Sequence, residues 1–145
     1  MRRIGYNKVI VKVVLLFVSL VFLCGFGPAQ GHHVVIEVNV PGTNAYGLVL
    51  NNIENLKKAM APDPVDVEVV CHGSGIDMLR TGNGLGKRME VLARKGVVFA
   101  ACANTIRGKH IDRKKLYSFI RVVPSGVAEV VKKQEAGWSY LKGAY

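Results

Sequence analysis

Two cysteines that each close an apolar run, one of them beside a histidine, are the residues of this chain best suited to covalent chemistry. Cys102 ends the run Val97–Cys102 and is followed at once by Ala103, Asn104, Thr105, Ile106, Arg107 and Gly108. Six apolar residues with β-branched and aromatic content read as a strand buried on both faces. The small and polar residues after it read as a turn straight into a helix. A thiol at such a junction meets the unsatisfied N–H groups of the first helical turn, and these favour the thiolate. Positive charge from Arg107 and Lys109 acts in the same direction. The competing reading is a buried cysteine acting as a small hydrophobe. Cys71 ends the run Asp66–Cys71 and leads into His72, Gly73, Ser74 and Gly75. His72 can act as a base toward a thiol or orient a substrate, or it can simply satisfy backbone groups of its turn. The N–H groups of Gly73 and Gly75 can face an anion, but the loop has neither the Walker lysine nor the longer dinucleotide fingerprint.

These groups need elements to hold them together. His33–Val40 reads as a first strand, turned by Pro41, Gly42 and Thr43. Ala45, Leu48, Val49, Ile53, Leu56 and Met60 recur at helical spacing, with Thr43 or Asn44 as the cap and Pro62 beyond the end. Asp66–Cys71 is the second strand, and Ile76–Leu79 is a short apolar piece after its turn. Leu85, Met89 and Leu92 mark a second helix, stopped by Gly96. Val97–Cys102 is the central strand. Asp112 caps a helical turn through Leu116, and Phe119–Val123 is a further strand. Ser125 caps a last helix with the apolar stripe Val127, Val130, Val131, Trp138 and Leu141, closed by Gly143. This alternation implies an α/β fold: a mostly parallel sheet of four to five strands, helices on both faces and right-handed crossovers. The carboxyl ends of all strands then share one rim, where ligands collect in open α/β sheets. That rim gathers Asn39, Thr43, Cys71, His72, Gly73, Gly75, Cys102, Asn104, Thr105, Pro124 and Ser125. Cys71 and Cys102 can form a disulfide only if their strands are neighbours, because the Cα atoms must lie within about 7 Å.

The 145 residues suffice for one domain behind a leader. Arg2, Arg3, Lys8 and Lys12 precede the apolar core Val13–Cys24, and Ala29-Gln30-Gly31 has the small residues of a signal-peptidase site. Residues 1–31 are therefore expected to be a signal peptide, with an uncleaved anchor as the rival, and 32–145 the working domain. Export, to the periplasm in a Gram-negative source, follows from this reading. Four of the 20 basic residues and none of the ten acidic ones leave with the leader, so the net charge falls from +10 to +6. Basic residues are scattered and lack interleaved aromatics, which argues against nucleic acid as a partner. Membrane contact is expected only through the N-terminal segment, if it is retained. No spacing resembles a zinc set, and no metal or cofactor is expected.

Taken together, Asn51–Leu56, Val67–Leu79, Phe99–Asp112 and Val122–Lys142 resemble the DsrE/DsrF-like family of sulfur-relay proteins. The most specific pieces are the HG.GI..L pattern from His72 and the closing VPSGVAE…Q.GW.Y pattern. The resemblance implies a compact three-layer α/β/α sandwich that assembles into homo-oligomers. It also implies that Cys102 corresponds to the cysteine that, in carrier members, holds a persulfide and passes it to a partner protein. On that reading a sulfur-donor or acceptor protein is the partner, His72 manages protons and Arg107 steers anionic sulfur species. Gly73, Gly75, Asn104, Thr105 and Ser125 line the ligand side of the rim. Two features differ from the carrier pattern: Cys102 is followed by ANTIRG in place of an alanine-rich helix start, and a leader precedes the domain. A non-catalytic oligomeric module that binds a small anion or metabolite is the alternative function.

Overall fold

Five strands pair in one sheet, and valine and isoleucine are most frequent in β1, β2 and β4. The computed structural model describes residues 31–143, so the leader expected at 1–31 falls, apart from Gly31, outside the described residues. The strands are β1 His32–Val38, β2 Val65–Cys71, β3 Val98–Cys102, β4 Arg121–Val123 and β5 Ser139–Lys142. Their spatial order is β4-β3-β2-β1-β5, and every pairing is parallel. Four helices connect them: α1 Thr43–Ala59, α2 Gly86–Arg94, α3 Ala103–Gly108 and α4 Gly126–Glu135. Short 3-10 segments occupy Gly73–Leu79 and Arg113–Lys115. The α/β architecture expected from the alternation of elements is therefore present, with an all-parallel sheet.

The two faces of the sheet are unequal. One face packs against α1, the first 3-10 segment and α2, and it holds most of the core, including Ile36, Leu50, Ile53, Val69, Met78 and Phe99. The other face is covered by α4, over a small cluster of Val35, Val70, Ala100, Val123 and Val130. Side chains alternate between faces along each strand, so Cys71 belongs to the large cluster while Cys102 lies on the α4 side.

Several boundaries depart from the sequence reading, each for a local reason. The buried face of α1 centres on Tyr46, Val49, Leu50 and Ile53, whereas Leu48 is 57% exposed. Gly42, not Thr43 or Asn44, is the N-cap residue, and no side chain caps the helix. Phe119 is not in β4; it packs edge-on to Phe99 and stacks on Tyr117. The largest correction concerns the C-terminus. α4 ends at Glu135, Gly137 takes a positive φ of 84°, and Ser139–Lys142 leaves as β5 beside β1. A left-handed residue stops a helix and suits glycine. The stripe expected for a longer helix is thereby divided: Val130 is buried, Val127, Val131 and Leu141 are exposed, and Trp138 is only half-buried. Trp138 lies beneath the Lys133 ammonium, 3.8 Å from the ring centroid, and beside the His33 ring. Gly143, expected to close a helix, instead packs against β1, and its N–H donates to Glu37 O at 2.7 Å.

This asymmetry predicts the outcome of a pair of truncations. Leu50→Ala empties a fully buried site and should cost about 2–5 kcal/mol. Val127→Ala on the outer face of α4 should stay within about 0.5 kcal/mol. Urea unfolding followed by circular dichroism measures both, and equal losses would contradict the placement of α4.

Candidate functional site

All five strands point the same way, so their carboxyl ends meet on one rim, and Cys102 stands there as the last residue of β3. Its backbone is extended, φ −70° and ψ 116°, and the chain enters α3 at the next residue. The first-turn N–H groups of Asn104 and Thr105 donate back toward the sulfur, as does the Thr105 hydroxyl. Thr105 is itself held in place, since its Oγ1 accepts from Gly73 N–H at 3.0 Å. A third backbone donor comes from another helix, the Gly126 N–H at the start of α4. This approach needs glycine. A Cβ on Gly126 would lie 3.0 Å from His72 Cβ and 3.2 Å from Cys102 Cβ. Ser125 fixes the same turn, with its hydroxyl accepting from Ala128 N–H at 3.4 Å.

The sulfur therefore feels two opposed effects. Burial, which leaves Cys102 4% exposed, works to raise the thiol pKa. The donors from Gly126, Thr105 and Asn104 stabilise the charged form and outweigh it, so the pKa falls below its ordinary value. Cys71 has only the first effect. It is fully buried, and burial pushes its thiol far up. Both cysteines are free. Their strands are neighbours, as a disulfide would require, but Cys71 pairs with Ala101. Cys102 is one residue further on and faces the opposite side of the sheet, which rules out the pairing in this fold.

His72 extends β2 by one residue, with its N–H donating to Val38 O at 3.1 Å. Its ring turns toward β1, where Nε2 lies 2.6 Å from Glu37 Oε1. The other oxygen, Oε2, accepts from the Tyr140 hydroxyl at 2.5 Å. Burial works to raise the Glu37 pKa, but the hydrogen bonds from Tyr140 and His72 and the nearby charges of His72 and Lys142 hold it below the usual carboxylate value. The site thus joins a thiol with a depressed pKa to a carboxylate–imidazole pair.

The remaining candidates are spread more widely. Gly73 N–H goes to Thr105 and Gly75 N–H to His72 O at 3.0 Å, so the donors expected to face an anion are used inside the fold. Gly75 is needed for space: a Cβ there would fall 2.1 Å from Val38 O. Arg107 is exposed on α3, and its guanidinium bonds Asn104 Oδ1 on the same helix. Among the described residues no three His, Cys, Asp or Glu side chains converge as metal ligands would. Sequence reasoning missed Glu37, Tyr140 and Gly126. A carboxylate inside the apolar stretch Val34–Val38 was the available signal for Glu37.

Iodoacetamide alkylation tests the contrast between the thiols. In the folded protein Cys102 should label with a half-maximal rate below the free-thiol pKa of about 8.5, while Cys71 stays unlabelled until urea unfolds the chain. Thr105→Val removes one donor to the thiolate, so the rate profile of Cys102 should move to higher pH. Labelling of Cys71 alone would contradict the geometry.

A family model described as the DsrE/DsrF-like family matches residues 33–142, a span that reaches from β1 through the last residue of β5. MTH1491, a protein of unknown function from Methanobacterium thermoautotrophicum, is a similar solved structure. It is 31% identical, with a TM-score of 0.72 over 77% of this chain and 98% of its own. BT1422, a conserved protein of unknown function from Bacteroides thetaiotaomicron, has a TM-score of 0.56 over 76% of this chain and 93% of its own. At 10% identity that likeness concerns the fold alone. No curated protein matches the chain. With the family model covering the whole sheet, this chain belongs to the DsrE/DsrF-like family.

Proposed function

We propose that the protein is a sulfur carrier that uses Cys102 as its persulfide-bearing thiol. The observation that supports this most directly is the convergence of donors from the starts of two helices on the Cys102 sulfur, with a lowered thiol pKa as the result. Sulfur transfer needs such a thiolate twice. On loading, the Cys102 thiolate attacks the terminal sulfur of a donor persulfide R–S–SH. A new S–S bond forms to Cys102, the S–S bond of the donor persulfide breaks, and R–S⁻ leaves with the electron pair. On unloading, an acceptor thiolate attacks the terminal sulfur of Cys102–S–SH, and Cys102 leaves as the thiolate. No net oxidant is required in either direction. The same N–H groups that favour attack also make Cys102 a good leaving group.

His72 is the proton-handling group in this scheme, since it and Cys102 both pack against the Gly126 position. Arg107 sits on the outer surface of α3, where it meets an approaching donor or acceptor protein. Export by the leader and assembly into homo-oligomers belong to the same proposal. The alternative of a small-anion module on the glycine turn is less well supported, because the Gly73 and Gly75 N–H groups are committed within the fold.

Incubation with polysulfide followed by persulfide tagging and mass spectrometry tests the reading. One sulfane sulfur, a gain of about 32 Da from the mass of one sulfur atom, should appear on the peptide that carries Cys102. It should be absent from Cys102→Ser and be lost on addition of a small thiol. Uptake on Cys71, or none at all, would overturn the assignment.

A further inference from the structure

Four polar side chains toward the carboxyl ends of the strands form a row on the α4 side of the sheet. Cys102 is two residues beyond Ala100 on β3, and His72 is two beyond Val70 on the extended end of β2. Glu37 is two beyond Val35 on β1, and Tyr140 pairs with Val35 from β5. Ala100, Val70 and Val35 all belong to the cluster beneath α4, so alternation places the four side chains on that same face. They follow one another across four adjacent strands, β3, β2, β1 and β5. Contacts connect them in that order: Gly126 against both Cys102 and His72, His72 to Glu37 at 2.6 Å, and Glu37 to Tyr140 at 2.5 Å. The far end of the row lies at the sheet edge, where Tyr140 is 39% exposed.

We propose that Glu37 and Tyr140 are positioning residues for thiol exchange at Cys102, acting through His72. The Glu37 carboxylate takes the Nε2–H of His72 and thereby sets the ring orientation and tautomer, which leaves Nδ1 to exchange a proton. Tyr140 donates to the second carboxylate oxygen and keeps Glu37 ionised. The physiological substrate rests on the carrier reading above, but the proton chemistry applies to any attacking thiol. An incoming R′S–H gives its proton to neutral His72, and the resulting thiolate attacks the outer sulfur attached to Cys102. The S–S bond breaks, a new bond forms to R′S, and Cys102 departs as thiolate while the imidazolium is balanced by Glu37. Groups that carry or exchange charge around His72 are Glu37 on β1, Tyr140 and Lys142 on β5, and Cys102 on β3. α4 contributes Gly126 there, and its Glu129 is engaged by Arg121.

The test uses the full chain with Cys102 capped as its S-methyl mixed disulfide by methyl methanethiosulfonate. Release of the cap by N-acetylcysteine is followed by mass across acid to mildly alkaline pH. Iodoacetamide alkylation of the uncapped thiol is measured in parallel, because that reaction takes the thiolate directly and brings no proton to be removed. Glu37→Gln should slow release by about tenfold or more, the scale of impaired acid–base assistance, and change alkylation by no more than about twofold. Tyr140→Phe removes a donor that helps to lower the Glu37 pKa, so the acid limb of the release profile should move to higher pH. A structural role alone would depress release and alkylation together, and that result overturns the proposal. Unchanged release in both variants overturns it too. Should Glu37→Gln fail to fold, an unmoved acid limb in Tyr140→Phe is sufficient to reject it. If the native protein takes up no sulfane sulfur, the carrier reading fails, whereas the cap, which involves no persulfide, still decides the role of Glu37.

Discussion

A carboxylate buried in the middle of the sheet, Glu68, decides where α4 sits. Glu68 is 1% exposed on β2 and faces α4. Its two oxygens are met from different elements, Oε1 by Arg121 of β4 at 3.0 Å and Oε2 by Lys133 of α4 at 2.7 Å. Arg121 bonds Glu129, one turn before Lys133, so the helix is attached to the sheet at two points. Removing one partner of a buried charge typically costs about 3–5 kcal/mol, because the other charge is left uncompensated. The apolar cluster beneath α4 is small, so these ion pairs fix a helix that apolar packing alone would place less firmly. The consequence reaches the rim. With Glu129 held in the first turn of α4 and Lys133 in its last, Gly126 at the helix start lies so near Cys102 and His72 that a Cβ there would crowd both.

The division of labour between the faces follows. The face under α1 and α2 carries the bulk of the core and has little space for polar groups. The face under α4 carries Glu68, Glu37, His72 and Cys102, all of which need partners when removed from water. Each has them within the fold. The two cysteines illustrate the difference. Both end a central strand in similar sequence surroundings. A one-residue offset in register turns Cys71 into the apolar layer, where its thiol stays neutral, and Cys102 toward the helix starts, where the thiolate is favoured.

Local signals in the sequence located much of this. The strand-to-helix junction at Cys102, the Ser125 and Asp112 caps and the stop at Gly96 depend on neighbouring residues, and each stands where the pattern placed it. What escaped depends on partners distant in the chain. Glu37 and His72 are 35 residues apart and Glu37 and Tyr140 are 103 apart, so no spacing rule connects them. The C-terminus departs from its sequence pattern for another reason. Val127, Val130, Val131, Trp138 and Leu141 satisfy a helical period, and the left-handed Gly137 overrides that period by redirecting the chain to the free edge beside β1. That redirection is also what brings Tyr140 to Glu37.

Burial of Cys102 has a further bearing on the carrier reading. Donors from the starts of α3 and α4 close on the sulfur, and the residue is only 4% exposed. A bulky reagent or partner surface meets resistance at Sγ itself. An attached sulfane sulfur stands about 2 Å further out, the length of an S–S bond, and must lie on the side those groups leave open. On the carrier reading, loading would move the reacting atom outward while the inner sulfur kept its donors. Attack is then directed to the outer sulfur, the one whose transfer regenerates the stabilised thiolate. The same geometry limits the access of oxidants to the unloaded thiolate, which susceptibility rules would otherwise single out for its low pKa.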